Sequence, residues 1–554
     1  MTASAYRSAE RTGENSVLRG KAHLLCISLL AAAGMTGFVE KAATADSSFI
    51  FADGFESGDA SAWSRIVGAG FPEPDEICVP PLTLVDTSGA TVVGDGSAGS
   101  CSEAALDAAL ASNNGAIRFD CGPDPHTITV TSEKMLAESL VIDGGGKVTL
   151  SGGGTTRILS LRPPYADPPL PFPVLTLQNL RFTDGYTGNQ PGSTIVSGGA
   201  AVFKDQLGDL HVIDSIFFGN VGPTLGQDVA GGAIYSFGAG RTVVVGSVFV
   251  DNRCSSGGAL GNLGNDLEVV NSILENNSAT GTGGNPGNGG NGGAVYADGN
   301  NQDVWICGSS LSDNHANARG GGLFRVSNNG VGPMEIDRSI VSGNQIPPGA
   351  DSQAGGLYLQ GLQLAISDST IANNAASSTG GAFIWTNPGS QTLDMINTTV
   401  AGNHARTGLG AGLSINNDIT GQLHHVTIAY NSNEGPTSFA SAISGGAGVS
   451  ITNSIIADNT KVFIWENTSC NVTHSGSGSV QWPDTNAGGQ TELACAGVSF
   501  FDPQLGMLAD NGGPTPTILP GAVNDTATGC PPTDQRGAPR STPCTPGAVE
   551  LPAQ

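Results

Sequence analysis

A short phrase recurs through the middle of this chain: a small polar residue, two or three apolar residues, then Asn. It reads DSIFFGN at 214–220, GSVFVDN at 246–252, NSILENN at 271–277 and RSIVSGN at 338–344. It continues as DSTIANN at 368–374, NTTVAGN at 397–403 and NSIIADN at 453–459, with weaker copies ending at Asn314 and Asn431. A second phrase, Gly-Gly followed by apolar residues, alternates with the first, as in GGAIYS at 231, GGAVYA at 292 and GGAFIW at 380. Self-similarity at this period is the signature of a solenoid, in which each unit buries its apolar face only against its neighbours.

The terminal residues of the first phrase are Asn220, Asn252, Asn277, Asn314, Asn344, Asn374, Asn403, Asn431 and Asn459, with gaps of 32, 25, 37, 30, 30, 29, 28 and 28. The apolar stretches between are short, β-branched and alternating, and are bounded by Gly, Asn and Asp, which are strand signals. A helical repeat needs longer runs at a 3.6-residue period, and 82 Gly in 554 residues oppose it. The spacing therefore predicts an all-β chain, a single-stranded right-handed parallel β-helix with coils ~4.8 Å apart. Asn at one corner of every coil stacks on its copies as a structural ladder, because its carboxamide both donates and accepts and it tolerates a left-handed backbone. Gly-Gly marks the corner entering the next strand. From Gly-Gly to the following Asn the distance stays at 19–23 residues, whereas from Asn to the next Gly-Gly it runs from 5 to 15. Length variation is confined to one corner. The inserted loops, including GTGGNPGNGGNGG at 281–293, are expected on one face, which reads equally as the usual binding face of such repeats and as drift at a tolerant corner.

The ends read differently. Arg7, Arg11, Arg19 and Lys21 precede the apolar run LLCISLLAAAG at 24–34, and Ala-Thr-Ala at 43–45 offers a cleavage site. This predicts an export signal over 1–45, with an apolar run too short to span a membrane. No later segment is long and apolar enough to do so, and none is expected in the mature chain. A tag and linker follow over 46–76, an N-terminal cap over 77–127, the repeats over 128–460, and the last coils with a C-terminal cap over 461–554. In the cap, Ser102 is placed to start a helix with an apolar stripe of Ala105, Leu106, Ala109 and Leu110. Export permits disulfides. Setting Cys26 aside, the pairs closest in sequence are Cys101/Cys121, Cys470/Cys495 and Cys530/Cys544; of Cys78, Cys254 and Cys307 at least one stays unpaired.

The CSEAAL start at 101–106, IDGGG at 142–146, DPQLGMLADNGGPTPT at 502–517, TDQRGAPR at 533–540 and PGAVE at 546–550 resemble the choice-of-anchor-Q group of bacterial secreted β-helix proteins. The alternation of GGAIY with FFGN is similar to repeats of the chlamydial polymorphic outer-membrane proteins. FADGFESGDASAW at 51–63 resembles a leader-adjacent tag in secreted proteins of Gram-negative bacteria. The resemblance implies a right-handed parallel β-helix that is secreted or held on the outer cell surface. No β-barrel, sorting helix or basic tail is read after PGAVE, so autotransport and covalent sorting are not expected.

Chemistry is thinner. A net charge of −26 argues against a nucleic-acid partner or an anionic membrane surface. Two catalytic carboxylates of a glycosidase sit roughly 5–9.5 Å apart, which adjacent coils can supply. The column before the ladder runs Gly219, Asp251, Asn276, Asp313, Gly343, Asn373, Gly402, Tyr430 and Asp458, with no acids on adjacent coils. His315 with Arg319 and His404 with Arg406 lie three coils apart, ~14 Å, and read as corner packing. His424 and His425, taken as one strand, point to opposite faces. Tyr235 and Tyr296 share an offset from Gly-Gly, with Trp385 nearby; they read as inward packing, or as a sugar platform if exposed. Asp53, Glu56 and Asp59 suit a calcium ion no better than the flanking aromatics suit a docking tag. No cofactor and no metal are expected. The functional expectation is an exported, non-enzymatic, adhesin-like binding scaffold using loops on one face, with carbohydrate or a host or cell-surface protein as partner. The alternative is a polysaccharide lyase or glycoside hydrolase on the same fold. Asn374→Ala is expected to destabilise its coil, whereas a change at Ser352, in a variable loop, does little.

Overall fold

A computed structural model describes residues 73–552, apart from 113, 166–170, 190–194, 350–351, 388, 390, 436–438, 522 and 524. The export signal and the Asp53, Glu56 and Asp59 group lie outside the described residues.

The chain winds into a right-handed parallel β-helix of about 13 turns. One turn comprises the strands Ile234–Phe237, Arg241–Val245, Val248–Val250 and Arg253–Cys254, followed by a loop. Each strand pairs in parallel with its own copy in the next turn, as Val243 with Glu268 and Phe249 with Leu274. The second and third strands of all turns merge into a 25-stranded sheet (sheet 1), and the first strands form an 11-stranded sheet (sheet 2). This register superposes like residues. Phe182, Phe217 and Phe249 stack inside the coil at centroid spacings of 4.7 Å, and Leu274, Leu311, Val341 and Ile371 continue that buried column.

Each turn bends twice at residues with left-handed backbone. The first bend holds Asp214, Gly246, Asn271, Gly308, Arg338, Asp368, Asn397, His425 and Asn453, with φ between 44° and 60°. The second holds Gly219, Asp251, Asn276, Asp313, Gly343, Asn373, Gly402, Tyr430 and Asp458, with φ between 53° and 67°. Asp, Asn and Gly dominate because they enter this region most readily. Arg338, His425 and Tyr430 are the exceptions, and the Tyr430 hydroxyl donates between the carbonyls of Leu505 (2.9 Å) and Gly506 (3.0 Å).

The residue after each bend is a ladder. At the second bend the nine Asn residues form one buried column. Asn344 Nδ2 donates to Asn374 Oδ1 at 2.9 Å, and Asn374 Nδ2 donates to Asn403 Oδ1 at 3.0 Å. Each Oδ1 also accepts the preceding Asn backbone N–H, as Asn374 Oδ1 does from Asn344 at 3.0 Å, and Asn374 Nδ2 makes a second bond to the Val341 carbonyl at 2.9 Å. The links run unbroken from Asn220 to Asn459. At the first bend a serine ladder runs beside it. Ser247 Oγ donates to the Val245 carbonyl (2.8 Å) and accepts the Ser215 N–H (3.1 Å), and Ser272, Ser309, Ser339 and Ser369 repeat the pattern.

At the Gly-Gly corner neither glycine tolerates a side chain. A Cβ on Gly231 (φ 73°) would fall 1.9 Å from the Ile234 carbonyl oxygen, and one on Gly232 would fall 2.2 Å from that of Gly258.

The helix Glu103–Ser112 follows Ser102, whose Oγ accepts the Ala105 N–H at 3.2 Å, and it buries Leu106 and Ala109 in the first turns. Disulfides join Cys101 to Cys121, Cys470 to Cys495 and Cys530 to Cys544. A fourth joins Cys78 to Cys307 across 229 residues, leaving Cys254 as the free cysteine among the described residues. The segment before the helix is a strap on the outer surface of sheet 1. Asn271 binds both the N–H and the carbonyl of Cys78 (2.8 Å each), and further along Gln178 binds the N–H and carbonyl of Val85 (2.9 Å each). A C-terminal strap covers later turns of the same sheet. Thr515 Oγ1 bonds the Asp368 carbonyl, Gln535 bonds Ser369, Thr370 and Thr399, and Gly547 bonds Asn453 and His425.

Candidate functional site

Sheet 1 is strapped; sheet 2 carries the loops. Along its strands, residues alternate between the interior and the outer surface. Ile234, Leu260, Val295, Leu323 and Leu357 join the interior core, and their neighbours Tyr235, Tyr296, Phe324 and Tyr358 join a separate outer cluster. Tyr296, Phe324, Tyr358 and Phe383 stack with centroids 5.1–5.3 Å apart, and Trp385 extends the stack over Phe383 at 5.0 Å. Gly261 stands between Tyr235 and Tyr296, where a Cβ would fall 2.6 Å from that of Ala230.

Tyr235 and Tyr296 thus point outward, correcting the expectation of inward packing, yet both are fully buried. The variable loops cover them. The Tyr235 hydroxyl donates to the Asp228 carbonyl at 2.6 Å, Ala354 and Leu409 pack on the aromatic row, and Arg319 lies over the Tyr358 ring at 5.5 Å. Arg319 also binds the Asn285 carbonyl (2.7 Å), tying down the glycine-rich loop, and Arg406 ties the Ile346 carbonyl (2.9 Å). The loops fold back on the sheet rather than standing free. Trp385, at 39% exposure, is where the row reaches solvent.

Beneath the glycine-rich loop lies a polar cluster. Tyr296 Oη sits 3.0 Å from Asp228 Oδ1 and 3.1 Å from Asp298 Oδ2. Asn285 Nδ2 donates to Tyr296 Oη (3.1 Å) and Asp298 Oδ2 (2.9 Å), and Asn328 Nδ2 donates to Asp298 Oδ1 (2.7 Å). A phenol has one proton and can serve one of these carboxylates at a time. Burial raises the Asp298 carboxyl above the ordinary carboxylate value. Burial, reinforced by Asp298 and Asp228, holds the Tyr296 phenol well above its own. Asp228 sits in a variable loop and Asp298 at the end of a strand, so no repeat phase in the sequence links them.

The remaining candidates fall elsewhere. His315 is exposed and bonds the Asp313 carbonyl at 3.1 Å; His404 bonds Ser432 Oγ at 2.9 Å and lies 3.5 Å from Glu434. The structure does not bring these two His residues together. His424 and His425 do meet, with ring centroids 4.6 Å apart, contrary to the opposite-face expectation. The strand ends at His424, and the left-handed bend at His425 (φ 54°) breaks the alternation. Burial pushes His425 down to about 3, so it is neutral at physiological pH, beside Gly547 and the Cys530–Cys544 disulfide. Ser352 is also buried: its Oγ accepts the Ser377 N–H at 2.8 Å. Burial pushes the Cys254 thiol up to about 12, which leaves it inert.

No family model, curated protein or solved structure matches the chain. Among the described residues no helix is long and apolar enough to cross a membrane.

Proposed function

We propose that the chain is an exported, non-enzymatic protein of the cell surface or extracellular space, a binding scaffold of the adhesin kind that works through the loop-covered face of sheet 2. The observation that carries this reading is the aromatic row onto which loops of different length are fastened. A rigid spine with interchangeable loops presents a preorganised surface, and that lowers the entropic penalty of binding. Four disulfides suit an oxidising compartment, as does the likeness of the C-terminal segments to the choice-of-anchor-Q group. Carbohydrate or a host or cell-surface protein is the partner class. The test is to present purified protein to neutral and acidic polysaccharides and to cell-surface proteins, with and without shortening of the 281–291 loop. Binding that shortening weakens is expected. Release of reducing or unsaturated ends contradicts the reading.

One observation favours the alternative of a polysaccharide lyase or glycoside hydrolase. Carboxylate oxygens of Asp228 and Asp298 lie 3.0 Å and 3.1 Å from one phenol oxygen, which gathers two acids at one place, as a glycosidase requires. The loop closes this pair off, since Tyr296 is fully buried and Asp298 is 6% exposed. On that reading Asp298→Asn abolishes any end release.

A further inference from the structure

The last variable loop, after Asn459, does not lie flat. It borders a cavity of about 430 Å³ with Trp465, Glu466, Asn467, Asn471, Asn486 and Gln490 on its walls. Such a volume falls within the roughly 300–1,000 Å³ of small-molecule sites. From this lining we infer a binding site for a neutral hexose-based glycan, with Trp465 as the stacking platform. The inference rests on the scaffold reading and gives it a ligand class and a place.

Trp465 is 59% exposed, an unusual position for the largest apolar side chain. It is nevertheless held. The tight loop 485–491, closed by the Thr485–Thr491 bridge, backs onto it. Gly488 donates its N–H to the Ile464 carbonyl at 3.0 Å, and a Cβ on Gly488 would stand 3.1 Å from Trp465 Cε3. The glycine lets the backbone support the ring, so an aromatic face is presented in a fixed position. Sugar rings offer an apolar C–H face that packs on such a surface, while their hydroxyls need polar partners at the edge.

Those partners are present. Asn467 Oδ1 is taken by the Leu493 N–H (3.0 Å), and Gln490 Oε1 by Asn486 Nδ2 (3.0 Å). Their carboxamides are thereby anchored through the oxygen, and both residues line the cavity. Asn471 is anchored by the Gly445 N–H (2.8 Å). Glu466 supplies an acceptor, 3.4 Å from Lys461 Nζ. This set of amide donors with a carboxylate acceptor suits neutral hydroxyls. The carboxylate and a net charge of −26 disfavour uronic-acid polymers. The Ile443–Cys470 bridge continues sheet 2 at this point, so the cavity lies on the loop-bearing side, at its C-terminal end.

The test is calorimetric titration of the full chain with maltohexaose, cellohexaose, laminarihexaose and chitohexaose, with oligogalacturonate as the acidic probe. At least one neutral oligosaccharide is expected to bind. Trp465→Ala should weaken it about tenfold or more, Trp465→Phe less, and Trp385→Ala not at all, with melting unchanged as the folding control. Asn467→Ala with Gln490→Ala should weaken it several-fold. Binding of the acidic probe alone, or equal affinity in wild type and Trp465→Ala, overturns the site. Neutral-glycan binding that survives Trp465→Ala but is lost on shortening the 281–291 loop overturns this site while the scaffold reading stands.

Discussion

Within one coil, two corners follow opposite rules. At the Asn corner the polar groups of the backbone are satisfied by a side chain from the next coil: Asn374 Oδ1 takes the Asn344 N–H, and Asn374 Nδ2 takes the Val341 carbonyl. A shift of one residue would orphan buried groups in two coils at once. At the loop corner no single side-chain pattern repeats from turn to turn: Arg319 reaches Asn285 and Tyr358, whereas the Ser377 N–H reaches Ser352 Oγ of the preceding loop. Length is free to vary there. Constraint follows the ownership of the hydrogen bonds, and the variable corner is left to evolve a surface.

The largest expected effect removes the strap that spans the constrained side. Cys78→Ala with Cys307→Ala opens a crosslink between residues 229 apart. Chain-entropy arguments put such a closure at up to about 5 kcal/mol. Denaturant melts should fall steeply, with early protease cleavage within 73–90. An unchanged midpoint would show that the strap is carried by Asn271 and Gln178 rather than by the disulfide.

Asn374→Ala comes next. Each buried group left without a partner loses about 1–3 kcal/mol, and the damage stays local because each coil touches only its neighbours. Proteolysis near 375–380 should accelerate. The proper control is Gly349→Ala, an exposed loop position where a Cβ meets nothing within 4 Å, since Ser352 is buried and bonded. Equal protease resistance in both variants contradicts the ladder's role.

The smallest effect is in pH dependence. Burial pushes the Asp368 carboxyl up to about 6, with Asp337 adding to the shift and Asn397 and Arg338 opposing it. The folded state therefore binds this proton more tightly than the unfolded state. That contribution is present below the ordinary value of 3.8 and is lost as pH rises towards about 6. Asp368→Asn should raise the melting temperature at pH 7 and leave it unchanged at pH 3.5. A larger gain at the acidic pH has the wrong sign for a raised carboxyl.

The parallel β-helix was legible because side-chain and backbone needs repeat at a readable period. The Asn positions carry the ladder phase on their own. The Ser of the same phrase was visible as a small polar residue, but its ladder was not, because its Oγ also bonds its own strand two residues back. The Cys78–Cys307 pairing had no local signal across 229 residues. The aromatic row misled for a physical reason: outward residues in a solenoid are exposed only when no loop folds over them. Asp228, Trp465 and Gln490 come from segments outside the repeat phase, and Asp298 from a repeat strand whose phase does not point to Asp228. Tertiary folding of the loops brings them together, and periodicity is silent about that.

The most direct test of the two-corner account is a pair of insertions in the same turn. Gly-Ser is inserted after Gly349, in the loop, or between Ala372 and Asn373, at the ladder corner, and thermal melting is compared with wild type. Lengthening a surface loop by two residues is expected to change stability by only a few tenths of a kcal/mol. The corner insertion breaks the Asn344–Asn374–Asn403 links and should lower the melting temperature by many degrees, with new cleavage between 345 and 400. Equal tolerance of the two insertions would contradict the claim that the ladder, and not the sheet alone, sets the length of the coil.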